Sequence, residues 1–292
     1  MSLRPRRRLR GVVFRMLRWS GIPALLRATV QRKRVTILVY HDPRPEVVER
    51  HLQALRRSYR IISLRQYVTA RAGDSATLPH KALVITFDDG YASNFDLREP
   101  LQRHGVRPTV FVCTGIVGTH RSFWFRHVDD VEQLKRVPDA ERLSRLAAAG
   151  VDTDAEHTLR EALSHVEIEE LLPIAEIQAH TVTHPILPRC TDDRARAEIA
   201  DGKRQLEQQF GVDVYALAYP NGEYTEREVA LTRSAGYRCA LAVGGRSNPR
   251  GIDVFRLRRI VIDDDDGVDE LLVKASGLWP WLERAIGRRR SS

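Results

Sequence analysis

Leu83-Val84-Ile85-Thr86-Phe87-Asp88-Asp89-Gly90 is a β-rich apolar run that stops at two acids and a glycine. Around it, short apolar strands alternate with helices. Upstream, residues 35–40 read as a buried strand. Residues 45–59 read as a helix, with Val47, Val48, His51, Leu52 and Leu55 at helical spacing. A short strand at 60–63 and a helix at 64–70 follow. Downstream come a helix at 94–104 that stops at Gly105, a strand at 108–113, and a long helix-rich segment at 116–165 broken at Gly150. The rhythm resumes with strand 176–179, helix 192–210 closed by Gly211, strand 214–219, helix 224–235, and strands 238–243 and 255–261. A helical region at 267–286 ends it. Repeated β–α–β units with right-handed crossovers build a parallel sheet. Four strands run into polar residues, at Tyr40-His41, Phe87-Asp88, Ala179-His180 and Tyr219-Pro220. A barrel would gather those ends on one face, and an open doubly wound sheet would gather them on one edge.

Chemistry concentrates at two of these strand ends. In Thr86-Phe87-Asp88-Asp89-Gly90 the alternation of strand side chains aims adjacent carboxylates differently, so one can hold a metal while its neighbour faces a water. The glycine permits a sharp turn. By itself the motif also fits an ordinary Asp-Gly turn with both acids solvated. His180-Thr181-Val182-Thr183-His184-Pro185 offers two imidazoles four residues apart. They can share one metal from a helical turn or a wrapped loop, and Pro185 favours the loop. Two unrelated loop histidines are the alternative. Together the motifs supply one carboxylate and two imidazoles with positions left open, and a second carboxylate for proton transfer.

With these motifs the chain resembles the polysaccharide deacetylases that carry the NodB homology domain, carbohydrate esterase family 4. The resemblance extends to Ile37-Leu38-Val39-Tyr40-His41, to residues 59–64, to Pro108-Thr109-Val110-Phe111-Val112 and to Ala218-Tyr219-Pro220-Asn221-Gly222, and covers about residues 35–261. It implies a distorted (β/α)7 barrel of the NodB type and hydrolysis of acetyl groups on sugars. It further implies that Asp89, His180 and His184 bind a metal, Zn²⁺ foremost, and that Asp88 is the general base. Tyr219, Pro220 and Asn221 fall at the substrate and oxyanion motif, with the Asn221 N–H as the candidate oxyanion donor, because Pro220 has none. Two departures stand out. Ala218 occupies the place of the family's Arg that holds the base, and Arg256, Arg258 or Arg259 on the last strand could substitute. No histidine follows His184, so the usual late acid is missing. His41, closing the first strand, is the candidate site residue and acid, against a hydrogen-bonded core histidine. Phe123, Trp124 and Phe125 could stack on sugar rings, although packing is the commoner use of aromatics.

The formal charge of +9 has a local origin. Residues 1–34 hold eleven Lys/Arg and no acid, whereas residues 35–292 hold 36 Lys/Arg against 38 Asp/Glu. A near-neutral body argues against nucleic acid as a partner. The chain therefore divides into a basic N-terminal helical arm, 1–34, and a catalytic domain, 35–292. The arm, with Val12, Val13, Phe14, Met16, Leu17 and Trp19, suits peripheral membrane contact or docking on the domain with its basic face in water. Its apolar stretches are broken by arginines, so neither a membrane span nor a secretory signal is expected. The expected setting is the cytoplasm or the cytoplasmic membrane face, with exopolysaccharide or lipid-linked glycan as substrate. Cys113, Cys190 and Cys239 form no CxxC pair and suggest neither a disulfide framework nor a thiolate site. A catalytically weak glycan-binding or scaffold protein using the same groove is the alternative function. Oligomeric state is not legible.

Overall fold

The four strands expected to end in polar residues lie in one parallel sheet of a computed structural model, which describes residues 4–73 and 78–290. Helices α1 (Arg4–Trp19) and α2 (Ile22–Ala28) lead into strand β1 (Thr36–Tyr40). Then come α3 (Pro45–Arg56), β2 (Arg60–Ile61), α4 (Leu64–Ala72), β3 (Ala82–Phe87), α5 (Arg98–His104) and β4 (Thr109–Val112). The next segment holds α6 (Val131–Leu134), α7 (Asp139–Ala148) and α8 (His165–Leu171). The regular alternation returns with β5 (Glu176–Ala179), α9 (Asp192–Phe210), β6 (Ala216–Ala218), α10 (Glu226–Ser234), β7 (Cys239–Val243), β8 (Leu257–Val261), α11 (Val268–Ala275) and α12 (Leu278–Arg290).

Strand β1 decides between barrel and open sheet. It pairs in parallel with β3, from Thr36 opposite Leu83 to Tyr40 opposite Phe87, and on its other edge with β8, at Leu38–Ile260 and Val39–Val261. Strands β3 to β8 pair in sequence order, so among the described residues seven parallel strands close into a barrel. The two-residue β2 stays outside the ring, against the start of β3. The predicted strand 60–63 is cut short because Ser63 leaves the ladder to cap α4. Its hydroxyl accepts the Gln66 N–H at 3.1 Å, and the Gln66 side-chain oxygen accepts the Ser63 N–H at 2.9 Å.

Side-chain alternation splits the core. Ile37, Val84, Phe111, Ala218, Leu241 and Leu257 belong to one buried cluster, and their strand neighbours Leu38, Leu83, Ile85 and Ile260 to a second that includes the helices. The long segment 116–165 is less helical than its composition predicts. Trp124, Leu134 and Leu146 make a small core of their own there, while Phe123 joins the main core. Phe123 and Trp124 are thus packing residues, and Phe125 is half-buried. At the other end of the chain, Gly277 (φ 80°) splits the predicted helical region 267–286 into α11 and α12.

Candidate active site

At the end of β3 the chain turns through two left-handed residues, Asp89 (φ 70°) and Gly90 (φ 77°). A side chain at Gly90 would meet Val112 Cγ1 at 2.7 Å, so only glycine fits. The turn has a chemical consequence. It brings both carboxylates to the same imidazole, with His180 Nε2 3.7 Å from Asp88 Oδ2 and 3.4 Å from Asp89 Oδ1. His184 Nε2 lies 3.4 Å from the same Asp89 oxygen. His184 arrives on a loop, as Pro185 requires, and that loop is clamped. Thr114 and Gly115 donate backbone N–H groups to the Thr181 and Val182 carbonyls. Buried Glu198 on α9 accepts the Val182 and Thr183 N–H groups at 2.8 and 2.9 Å, and Trp124 Nε1 donates to the His184 carbonyl at 2.9 Å. Asp89, Thr181, His184 and Asn221 are four of the five non-glycine residues with positive φ among the described residues. Such conformations cost about 1–3 kcal/mol each and persist where the surroundings over-determine them.

The donor set fits a divalent cation. The ligand atoms of Asp89, His180 and His184 all lie within 4.8 Å of one another and are buried. His180 Nδ1 donates to the Ala218 carbonyl at 2.8 Å, which leaves the Nε2 lone pair facing Asp89 whenever the ring is neutral. Asp89 Oδ1 is buried without a hydrogen-bond partner, and the Nε2 atoms of His180 and His184 both stand 3.4 Å from it. Two lone-pair-bearing nitrogens around one orphaned carboxylate oxygen are what a cation between them would satisfy. The electrostatics agree. Burial alone would raise the Asp89 carboxyl, but the two histidines hold it far below the carboxylate range. Burial pushes the His184 imidazole down to about 4, toward the neutral ligand form, while Asp88 and Asp89 outweigh burial and raise His180.

Asp88 borders that set, 3.7 Å from His180 Nε2, but is engaged by an arginine. Arg259 Nη1 and Nη2 donate to its two oxygens at 2.6 and 2.8 Å. The pair is buried, and Arg259 is fully so. Burial by itself would raise Asp88, but the guanidinium outweighs it and keeps the carboxyl below its ordinary value. Of the three arginines named from the sequence, Arg256 instead pairs with Asp253 and Glu226, and Arg258 points outward. Arg259 shares the inward phase of β8 with Leu257. Position 218 contributes its carbonyl to His180 rather than a side chain to Asp88.

Asp88, Asp89, His180 and His184 line an open cleft of about 400 Å³ together with His41 and Asn221. His41 is half-buried at the cleft wall and so is not a core histidine, and its backbone N–H lies 3.5 Å from the Asp264 carboxylate. Asn221 lines the cleft with φ 56°. Tyr219 and Pro220 are buried behind it. The Tyr219 hydroxyl donates to the Phe255 carbonyl at 3.2 Å and its ring stacks on Tyr224, so that side chain faces the core rather than the cleft. Tyr91, Lys135 and Asp264 also line the wall and were not singled out from the sequence, and Phe125, named there as a possible sugar-stacking residue, lines it too. Only Tyr91, directly after the Asp-Asp-Gly turn, carried a local signal. Phe125 and Lys135 reach the cleft because the 116–165 segment folds over it.

Comparisons with known proteins point to one family. The family profile described as polysaccharide deacetylase matches residues 75–240, more than half of the chain. YxkH of Bacillus subtilis (strain 168), whose description places it among polysaccharide deacetylases, is 23% identical over 181 residues. That alignment covers 62% of this chain and 51% of YxkH, so the chain spans about half the length of this relative. Among solved structures, the deacetylase PplD of Streptococcus pyogenes, in complex with acetate, is 19% identical with a TM-score of 0.62, covering 83% of this chain and 98% of that one. IcaB from Ammonifex degensii is 18% identical with a TM-score of 0.63, covering 84% and 98%. At such identities the likeness is one of fold.

Proposed function

The chain belongs to the polysaccharide deacetylase family, and from that premise we propose that it is a metal-dependent hydrolase removing acetyl groups, foremost N-acetyl, from a polysaccharide or lipid-linked glycan. The observation that carries this is the placement of a buried Asp89/His180/His184 donor set beside a separate carboxylate, Asp88, that is already paired with Arg259. A divalent cation held by Asp89, His180 and His184, zinc foremost, supplies Lewis acidity toward the acetyl carbonyl and the attacking water. Asp88 takes the proton of that water. Arg259 keeps Asp88 ionised and aimed into the cleft. The Asn221 N–H faces the oxyanion, and His41 donates a proton to the departing sugar amine or alcohol.

Two measurements test these roles. In metal-stripped protein, Zn²⁺ at about a hundredfold over its Kd should stabilise the fold by about 2.7 kcal/mol. A melting scan should therefore rise by several degrees. Asp89→Asn tolerates the left-handed backbone but lacks the charge, so it should abolish that rise. An Asp89→Asn protein stabilised like wild type would remove the metal assignment. For His41, replacement by Ala should lower kcat for acetate release by about 10²-fold or more with KM little changed. An unchanged kcat would take His41 out of the reaction.

The scaffold alternative rested on the absent Arg at position 218 and the absent late histidine. Arg259 removes the first of these supports. Acetate release from chitooligosaccharide separates the two readings, since a scaffold binds the sugar and releases none.

A further inference from the structure

Helix α1 is apolar on two opposite faces, and only one of them is covered. Phe14 is buried against Val273 and Leu278, with Leu17 packed beside it. Ion pairs fix that face in place. Arg10 Nε donates to Glu270 at 3.0 Å, its Nη2 lies 3.2 Å from Asp263, and Arg18 pairs with Asp269. The other face carries Leu9, Val12, Met16 and Trp19 at i, i+3, i+7 and i+10, which is one stripe of a helix. Leu9 is 67% exposed, Met16 69% and Trp19 75%, and Ile22 and Leu25 of α2 are exposed beside them. A helix docked with its basic face in water would show charge there. This one shows large apolar side chains, with Arg15 at the flank, 73% exposed.

We infer that the outer face of α1 and α2 seats the protein on an anionic lipid bilayer. The charge distribution selects this occupant. Residues 1–34 hold eleven Lys/Arg and no acid while the remainder is near neutral, so the excess positive charge lies in the segment that bears the exposed stripe even though Arg10, Arg15 and Arg18 pair with Asp263, Asp269 and Glu270. An apolar stripe carrying Trp and flanked by arginines is the pattern of helices that lie in the plane of a headgroup layer. Each Lys/Arg near an anionic surface adds to the attraction. No helix among the described residues is long and apolar enough to cross a membrane, so the contact is peripheral. Because Arg10 touches Asp263, next in chain to the cleft residue Asp264, the seated face and the cleft belong to one packed unit.

Vesicle co-sedimentation of the full chain tests this. Wild type should pellet with vesicles containing phosphatidylglycerol, and roughly tenfold or more weakly with pure phosphatidylcholine or at high salt. Leu9→Glu/Met16→Glu, which alters only exposed positions, should lose roughly tenfold or more of the binding while melting as wild type does. Wild type that stays in solution with anionic vesicles overturns the inference, as does a double variant that pellets equally well. A dimer in sedimentation velocity that this variant dissociates, with no vesicle binding, would assign the face to a second copy and overturn the lipid assignment.

Discussion

Asp88→Asn is expected to lower acetate release by about 10²–10⁴-fold, the range that a positioned general base contributes. It is equally expected to leave metal binding intact. The reason is geometric. Asp88 and Asp89 are adjacent in sequence, but the left-handed turn at Asp89 gives its oxygen to both histidines, whereas both Asp88 oxygens are taken by Arg259. Asparagine keeps the shape of the side chain and one acceptor but leaves the buried Arg259 charge unpaired, so the protein should fold with a lower melting temperature. The amide cannot take the proton. The measurement pairs turnover on an acetylated oligosaccharide with metal content. An Asp88→Asn protein of full activity would end the proposed mechanism. One that lost its metal would show that Asp88 belongs to the ligand set.

Arg259→Gln should be costly in a different way. The guanidinium and the Asp88 carboxylate are buried together, and removing one member of such a pair typically costs about 3–5 kcal/mol because the other charge is left unpaired. At this chain length that corresponds to a melting temperature lower by on the order of 10 °C. The pH dependence follows from the direction of the Asp88 shift. In wild type its carboxyl lies below its unfolded value, so the stability it contributes is present above the unfolded pKa and lost as pH falls through the folded one. Without Arg259, burial dominates and the carboxyl rises. The acid limb of the rate profile should then move to higher pH, with kcat falling more than KM changes. A merely structural arginine would lower the melting temperature and leave the acid limb where it was. The double variant Asp88→Asn/Arg259→Gln should be less destabilised than the sum of the single changes.

The strand–helix rhythm and the Asp-Asp-Gly and His-x-x-x-His motifs were legible because they are local. Apolar runs that end at Asp88 and His180 announce strand ends, and a parallel sheet brings all such ends to one side. Pro185 announced the loop that carries His184. Arg259 was legible only as one of three candidates. Choosing it required the phase of β8, and a one-residue change of phase would have presented Arg258 instead. The 116–165 segment misled by composition, since its helical residues form two short helices around their own small core, and the fold rather than any motif places Phe125 and Lys135 at the cleft. The arm misled less. Its charge was readable from composition, but which of its apolar residues are covered depends on α11 and α12.

Local order therefore determined that the chain alternates strand and helix, and which carboxylates and imidazoles stand at strand ends, because backbone geometry and turn chemistry act over a few residues. Tertiary structure alone decided that β1 closes a barrel between β3 and β8, that Arg259 pairs with Asp88, and that α1 leaves Leu9, Met16 and Trp19 uncovered. Each of these joins residues far apart in the chain, and only long-range packing sets their register and facing.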